Sequence, residues 1–488
     1  MQNLLFVTAL TVGALACLPV QAAESRPGLQ PCRLQGVEHE ALCGSVRRAL
    51  DPTAPQGTQI EVHFAVLPAL ARNRKPDPVF FFAGGPGQSA IEIAGSAARM
   101  LGRLSNRRDI VLVDQRGTGR SAPLVCDEPS PTQPLVEALD PARVFTRLAG
   151  CRARLQRLPH GDLRHYTTVL AMQDTDAVRR QLGAESVNVV GGSYGTRAAL
   201  DYMRQFPQAV RRAVIDGVAP PDMVLPASFS TDNQAALDAV FAACEADKAC
   251  AARYPMLRVD WRELLVTLPR DVGVAHPVTG EVQRLTLTRD TLLGLVRTPL
   301  YVPSLASALP LALTEAARGR FEPLAGLATA MSGGRTGALA EGMHFSVVCA
   351  EDAPRLAHAT DRAGADFGAA FADLYRRVCA DWPRGDVPAA FYTLPSASAA
   401  TLVLSGGADP VTPARHGARV ARALGAKARH VVVPEAGHGV MGLACLRDAV
   451  FRFIDADSDD DALRVDADCA RALPRPPVFV PVTAEVAK

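Results

Sequence analysis

The chain has 488 residues, 48% of them hydrophobic, enough for two or three domains around a large core. Its 52 Lys and Arg residues nearly cancel 50 Asp and Glu, leaving a net charge of +2. That balance gives no electrostatic case for nucleic acid or for an anionic membrane surface.

Residues 4–18 form an apolar run, followed by Pro19 and then Val20-Gln21-Ala22. The run is too short to span a bilayer, and Val-x-Ala is a small-residue cleavage signal, so residues 1–22 are expected to be a signal peptide. The flanking Met1-Gln2-Asn3 carries no Lys or Arg, a departure from the usual anatomy. A lipoprotein signal ending at Cys17 is the alternative, which Ala14-Leu15-Ala16 fits poorly. The expected location is periplasmic or secreted, with no membrane span in the mature chain. Apart from Cys17, ten cysteines fall into sequence-local couples: Cys32/Cys43, Cys126/Cys151, Cys244/Cys250, Cys349/Cys379 and Cys445/Cys469. An even number in an exported chain predicts five disulfides, against the alternative of ten buried thiols. There is no C-x-x-C, so His160 and His165 have no cysteine pair to complete a zinc site, and no metal is expected.

In chain order, residues 58–66 predict a strand. A second, 79–83, runs into Gly84-Gly85-Pro86-Gly87, which cannot continue it. A third, 109–113, ends at Asp114-Gln115-Arg116-Gly117-Thr118-Gly119. A helix over 167–182, a strand at 186–190, a helix over 196–205 and a strand at 213–216 follow. Apolar strands alternating with helices predict an α/β fold, a mostly parallel sheet with helices on both faces. The alternation stops near Pro220-Pro221, gives way to Ala, Leu and Arg at helical spacing, and resumes with strands at 401–404 and 430–433. The expected organisation is a core in two parts, 23–219 and 399–488, interrupted by a helical cap, 220–398. A separate downstream domain is the alternative.

Gly191-Gly192-Ser193-Tyr194-Gly195 is a G-x-S-x-G pentapeptide. The motif is weak alone, but here a valine-rich strand enters it and a helix leaves it. Such a turn exposes the Ser193 hydroxyl at the top of an α/β-hydrolase sheet, beside the positive end of the helix. A serine hydroxyl needs a base, and in this fold the order is Ser, acid, His. Asp409, just past the strand at 401–404, and His438, in the loop after the strand at 430–433, satisfy that order at strand ends. Ser193 is thus expected as nucleophile, His438 as general base and Asp409 as the residue that orients it. His416 and His430 compete as bases but fall on a predicted helix and at a strand start. The backbone N–H groups of Tyr194 and Gly85 are the expected oxyanion hole.

The set Gly84-Gly85-Pro86-Gly87-Gln88-Ser89, Asp114-Gln115-Arg116-Gly117-Thr118-Gly119-Arg120-Ser121, Gly191-Gly192-Ser193-Tyr194-Gly195-Thr196 and Gly406-Gly407-Ala408-Asp409-Pro410-Val411-Thr412-Pro413 resembles the prolyl aminopeptidase and tripeptidyl aminopeptidase family of α/β-hydrolases. The segment from Cys445 to Cys469 is similar to the tripeptidyl-aminopeptidase-like C-terminus. The resemblance implies a cofactor-free serine exopeptidase releasing residues or short peptides from free N-termini. Ala83 stands where prolyl aminopeptidases usually carry His, which favours the exported, tripeptidyl-type branch. Such enzymes must hold a substrate ammonium, and with that resemblance Glu351, assisted by Asp352, is the expected amine-binding pair. A carboxylesterase or other small-acyl hydrolase is the alternative within the fold, and a non-catalytic binding protein on the same scaffold is the alternative outside it.

Overall fold

The computed structural model describes residues 28–330, 338–395 and 399–481; the expected signal peptide lies outside them, as does the expected end of the cap at residue 398. The strands in chain order are β1 (Gln30–Cys32), β2 (Ala41–Ala49), β3 (Gln59–Leu67), β4 (Val79–Phe82), β5 (Ile110–Val113), β6 (Val187–Gly192), β7 (Val210–Asp216), β8 (Arg270–Ala275), β9 (Val282–Leu287), β10 (Ala400–Gly406) and β11 (Ala428–Val433). Among the described residues, nine of them make one sheet in the order β1-β2-β3-β5-β4-β6-β7-β10-β11. The run from β5 to β11 is parallel, and β1, β2 and β3 extend it as an antiparallel edge.

Parallel strands covered on both faces need side chains that tolerate burial on each. β4 is Val-Phe-Phe-Phe and β5 is Ile-Val-Leu-Val, buried throughout. The period of two divides them: Phe80, Phe82, Val111 and Val113 face one core, Val79, Phe81, Ile110 and Leu112 the other. Helices Thr168–Gln181, Tyr194–Gln205 and Ala414–Leu424 cover the first face, and Ala94–Leu101 and Ala444–Asp455 the second.

Two features escape the sequence reading. β1, mostly exposed, and β2, half-buried, form the edge with no clean apolar alternation, joined by the Cys32–Cys43 disulfide. The insertion between β7 and β10 is mainly helical, with its own core around Phe241, Trp261 and Phe321, but it also carries the β8–β9 hairpin. Nor is the insertion a detached cap. Helix Glu341–Glu351 contributes Met343, Phe345, Val347 and Val348 to the main core, and helix Ala370–Asp381 adds Tyr375 and Val378.

All five expected cysteine couples are bonded: Cys32–Cys43, Cys126–Cys151, Cys244–Cys250, Cys349–Cys379 and Cys445–Cys469. They act as structural staples. Cys151, on helix Pro141–Leu155, ties that helix to Cys126 and is buried in the main core. Cys250, on helix Lys248–Arg253, is buried in the core of the insertion, bonded to Cys244 near the end of helix Leu225–Ala246. Five disulfides point to folding in an oxidising compartment, extracellular or periplasmic. No helix among the described residues is long and apolar enough to cross a membrane.

Candidate active site

Five adjacent parallel strands deliver their C-terminal ends to one edge of the sheet, and each loop there carries a residue of interest. Gly84 and Gly85 follow β4, Ser193 follows β6, Gly217 follows β7, Asp409 follows β10 and His438 follows β11.

Ser193 caps helix Tyr194–Gln205 with φ 55° and ψ −126°, a conformation costly for a residue with a side chain. The flanking glycines are required by the sharpness of that turn. A Cβ at Gly191 would stand 2.3 Å from the Gly195 carbonyl oxygen, and one at Gly195 would stand 2.1 Å from that of Phe82. Tyr194 is the first residue of the helix, so its N–H has no intrahelical acceptor and remains available to a ligand. The glycine turn passes beside the serine: a Cβ at Gly84 would lie 3.4 Å from Ser193 Cβ, and Gly85 has φ +110°.

On the other side, His438 Nδ1 lies 2.9 Å from Asp409 Oδ2. Asp409 is held in turn by the N–H groups of Val411 (2.9 Å) and Thr412 (2.8 Å) on Oδ1 and by the Thr412 hydroxyl (2.7 Å) on Oδ2. That explains the Asp-Pro-Val-Thr spacing: the turn points two amides and a hydroxyl back at one carboxylate. Burial opposes ionisation of both partners, yet their mutual charge and hydrogen bond prevail. The His438 pKa stands above its ordinary 6.5 and that of Asp409 below its ordinary 3.8. An imidazole so oriented leaves Nε2 free to accept a proton.

Asp216, at the end of β7, is not singled out by the sequence reading although it carries the same signal as Asp409, an acid closing an apolar strand. Its carbonyl accepts the Ser193 N–H at 2.9 Å. Its carboxylate accepts from Val440 (2.8 Å) and Met441 (2.7 Å), just past His438. One residue thus ties the serine turn to the histidine loop. Burial pushes its carboxyl up to about 6. The Asp114 segment has a comparable structural role. Asp114 accepts from the Ser89 hydroxyl (2.6 Å) and the Ile91 N–H (3.1 Å), bracing the chain after the glycine turn. The cap braces it from above: the Ala340 N–H donates to the Gly87 carbonyl at 2.9 Å, and His344 bridges the Pro86 carbonyl (3.2 Å) and the Tyr375 hydroxyl (2.8 Å).

Glu351 and Asp352, the expected amine-binding pair, stand beside the helix that carries Ser193. Both are fully buried. Arg197, on the serine helix, grips Asp352 with two nitrogens (2.9 and 3.1 Å) and reaches Glu351 at 3.4 Å. Glu351 also accepts from the Thr168 N–H (2.7 Å) and hydroxyl (3.0 Å). Thr168 in turn lies 2.7 Å from the Tyr194 hydroxyl. A guanidinium faces two carboxylates here, and burial raises the Glu351 carboxyl to about 7. The pair could receive an ammonium only if this network opened.

The competing histidines are engaged elsewhere, His416 with Asp232 (3.2 Å) and His430 with Ser405 (3.1 Å). His160 lies against the Pro123 carbonyl and His165 near Asp162, and no metal-ligating cluster occurs among the described residues.

A family model described as "alpha/beta hydrolase fold" matches residues 77–252, which hold the glycine turn and Ser193. One described as "TAP-like protein" matches residues 364–464, which hold Asp409 and His438. The chain has the α/β-hydrolase fold. It resembles the peptidases of that superfamily. The hydrolase is 28% identical over 238 residues to "Serine protease Hip1" of Mycobacterium tuberculosis, covering 44% of this chain and 45% of that protein. It is 32% identical over 197 residues to "Tripeptidyl aminopeptidase" of Streptomyces coelicolor, covering 37% and 35%. It is 29% identical over 142 residues to "Proline iminopeptidase" of Neisseria meningitidis, covering 29% and 32%. The matched stretch spans less than half the length of each of these relatives.

Proposed function

We propose that this hydrolase is an exported serine exopeptidase that removes residues or short peptides from free N-termini through an acyl-enzyme. Ser193 Oγ attacks the scissile carbonyl carbon while His438 Nε2 takes its proton. The oxyanion that forms is held by the N–H groups of Tyr194 and Gly85. His438 then gives the proton to the departing amine as the C–N bond breaks. A water molecule, deprotonated by the same imidazole, hydrolyses the ester and frees Ser193. Asp409 keeps the Nδ1–H tautomer and stabilises the transient imidazolium. The observation that carries the reading is the Asp409–His438 pair at 2.9 Å on the loops adjoining a serine at φ 55°. Similarity to proteins named as a serine protease and aminopeptidases supports the peptide substrate, and five disulfides support export.

A carboxylesterase is the second reading, favoured by the closed state of Glu351 and Asp352. Hydrolysis of an alanyl-peptide anilide with a free amine, and not of its N-acetylated form, is the expected result. Equal rates on the two, with faster turnover of short aryl esters, would favour the esterase. Ser193→Ala should abolish turnover and labelling by a fluorophosphonate probe while the protein stays folded by circular dichroism; near-normal turnover would refute the mechanism.

A further inference from the structure

Most buried arginines of this molecule are answered by carboxylates: Arg108 by Asp77, Arg116 by Asp174 and Arg197 by Asp352. Arg297 is not. It lies in the last turn of cap helix Arg289–Leu300, half-buried, and no described carboxylate stands within ion-pairing distance of it. Of the five N–H donors of a guanidinium, one reaches a described partner, the Tyr301 hydroxyl at 3.5 Å, and its Nε is buried with none. The group is held over Phe371, 4.6 Å from the ring centroid, and 6.0 Å from that of Tyr301. This stacking restrains the fork but satisfies none of its hydrogen bonds.

The position of Arg297 follows from its neighbours. Tyr301 sets its ring edge-on to His438, with centroids 5.3 Å apart, and its carbonyl accepts the His438 N–H at 3.0 Å. Tyr375 is bonded through His344 to the Pro86 carbonyl of the glycine turn. Burial raises the phenol pKa of both tyrosines, and at each the positive charge of Arg297 is the largest influence opposing that rise. Arg297 therefore lies in the cap between the residue leaning on His438 and the residue bracing the glycine turn. Asp409, Asp216 and Asp114, acids at this end of the sheet, are each committed to other donors.

We propose that Arg297 is a substrate-binding residue that receives a carboxylate carried by the substrate, in a planar two-point contact above the Ser193 site. The assignment rests on the hydrolytic reading of that site and narrows its substrates to acid-bearing ones. A carboxylate supplies two acceptors matched to a guanidinium fork, and in a half-buried place such a charge-assisted bond is stronger than at the surface. Its source is either the C-terminal carboxylate of a short peptide or an acidic side chain in a longer one.

The test measures kcat/KM of wild type, Arg297→Gln and Arg297→Lys on three matched pairs. They are tetra-alanine against its C-terminal amide, Asp- against Asn-containing peptide amides, and p-nitrophenyl hemisuccinate against p-nitrophenyl butyrate. The wild type should prefer the carboxylate member of at least one pair. Arg297→Gln should erase that preference by about 10- to 100-fold, mainly through KM, and leave the neutral member within about twofold. Arg297→Lys should recover part of the loss, because it keeps the charge without the fork. A loss confined to the first pair assigns the C-terminal carboxylate, and one confined to the second assigns the side chain. Parallel losses on both members, or no preference in any pair, would overturn the proposal. Peptides cleaved without discrimination sink the carboxylate site and leave the peptidase standing. Inert peptides with a discriminating ester pair do the reverse. Calorimetric binding of tetra-alanine and its amide to the Ser193→Ala protein makes the same comparison without turnover.

Discussion

His438 is held by a short contact to a carboxylate that three further donors fix in place, so Asp409 presents Oδ2 to the imidazole in one set orientation. Because its pKa is raised above 6.5, the neutral form that serves as base in the proposed mechanism is reached only at higher pH. The acid limb of the kcat/KM profile should have its midpoint above about pH 6.5, with activity lost as pH falls through it. Asp409→Asn removes the charge and mis-sets the tautomer. Turnover should fall by about four orders of magnitude, and the residual limb should shift to lower pH. A profile unchanged by the substitution would show that another acid serves His438. Glu351 makes the opposite case, a buried acid whose ionisation costs stability. Its carboxyl titrates at about 7 in the fold against an ordinary 4.5, so the wild type loses stability from this group as pH rises between those values and keeps the full cost above them. Glu351→Gln removes that cost. The difference in Tm, variant minus wild type, should grow more positive from pH 5 to pH 8, with hydrolysis of free-amino peptides retained. Selective loss of free-amino substrates would instead support the amine-binding role of Glu351.

At the scale of elements, the cap helices that brace the glycine turn are themselves clamped together. Cys349 and Cys379 join helix Glu341–Glu351 to helix Ala370–Asp381, the first carrying His344 and the second Tyr375. Closing a separation of 30 residues is worth about 3.5 kcal/mol at most in the chain-entropy account. The paired Cys349→Ser and Cys379→Ser variant should therefore lower Tm by several degrees. It should also lower kcat more than it raises KM, because the turn bearing Gly85 loses its support and the acyl-transfer step weakens. A drop in Tm with unchanged kcat would mean that the main core alone holds these helices. The serine turn needs no such clamp. Its geometry is enforced by Gly191 and Gly195, where any side chain would collide with backbone.

Across the whole molecule, core and insertion meet through charge as well as packing. Arg415 and His416, on core helix Ala414–Leu424, converge on the buried Asp232 of cap helix Leu225–Ala246, and Arg419 pairs with Asp222. With Arg197 gripping Asp352, these contacts fasten the insertion to the core.

Much of this was legible in the sequence because its causes are local. β4 and β5 announce themselves by unbroken apolar runs, and the serine turn by glycines within two residues of Ser193. The disulfides are legible for the same reason, since each cysteine, Cys151 and Cys250 included, bonds to a neighbour in the order of the chain. Asp409 and His438 are readable because each follows a strand directly, and the order of strands predicts where their loops gather. The edge strands β1 and β2 and the β8–β9 hairpin were not readable, since half-exposed strands carry little periodic signal. The partners of buried charges were unreadable for a different reason. Asp352 meets Arg197 across 155 residues of chain, and Asp216 meets Met441 across 225. An acid beside a cysteine looks the same in sequence whether it faces a ligand or an arginine. The local steps of strand, turn and helix were determined by the residues within them. Which carboxylates are spent on the fold, and whether an arginine such as Arg297 meets one, was decided only by the tertiary structure, because the interaction of two charges depends on a distance that the chain path alone does not set.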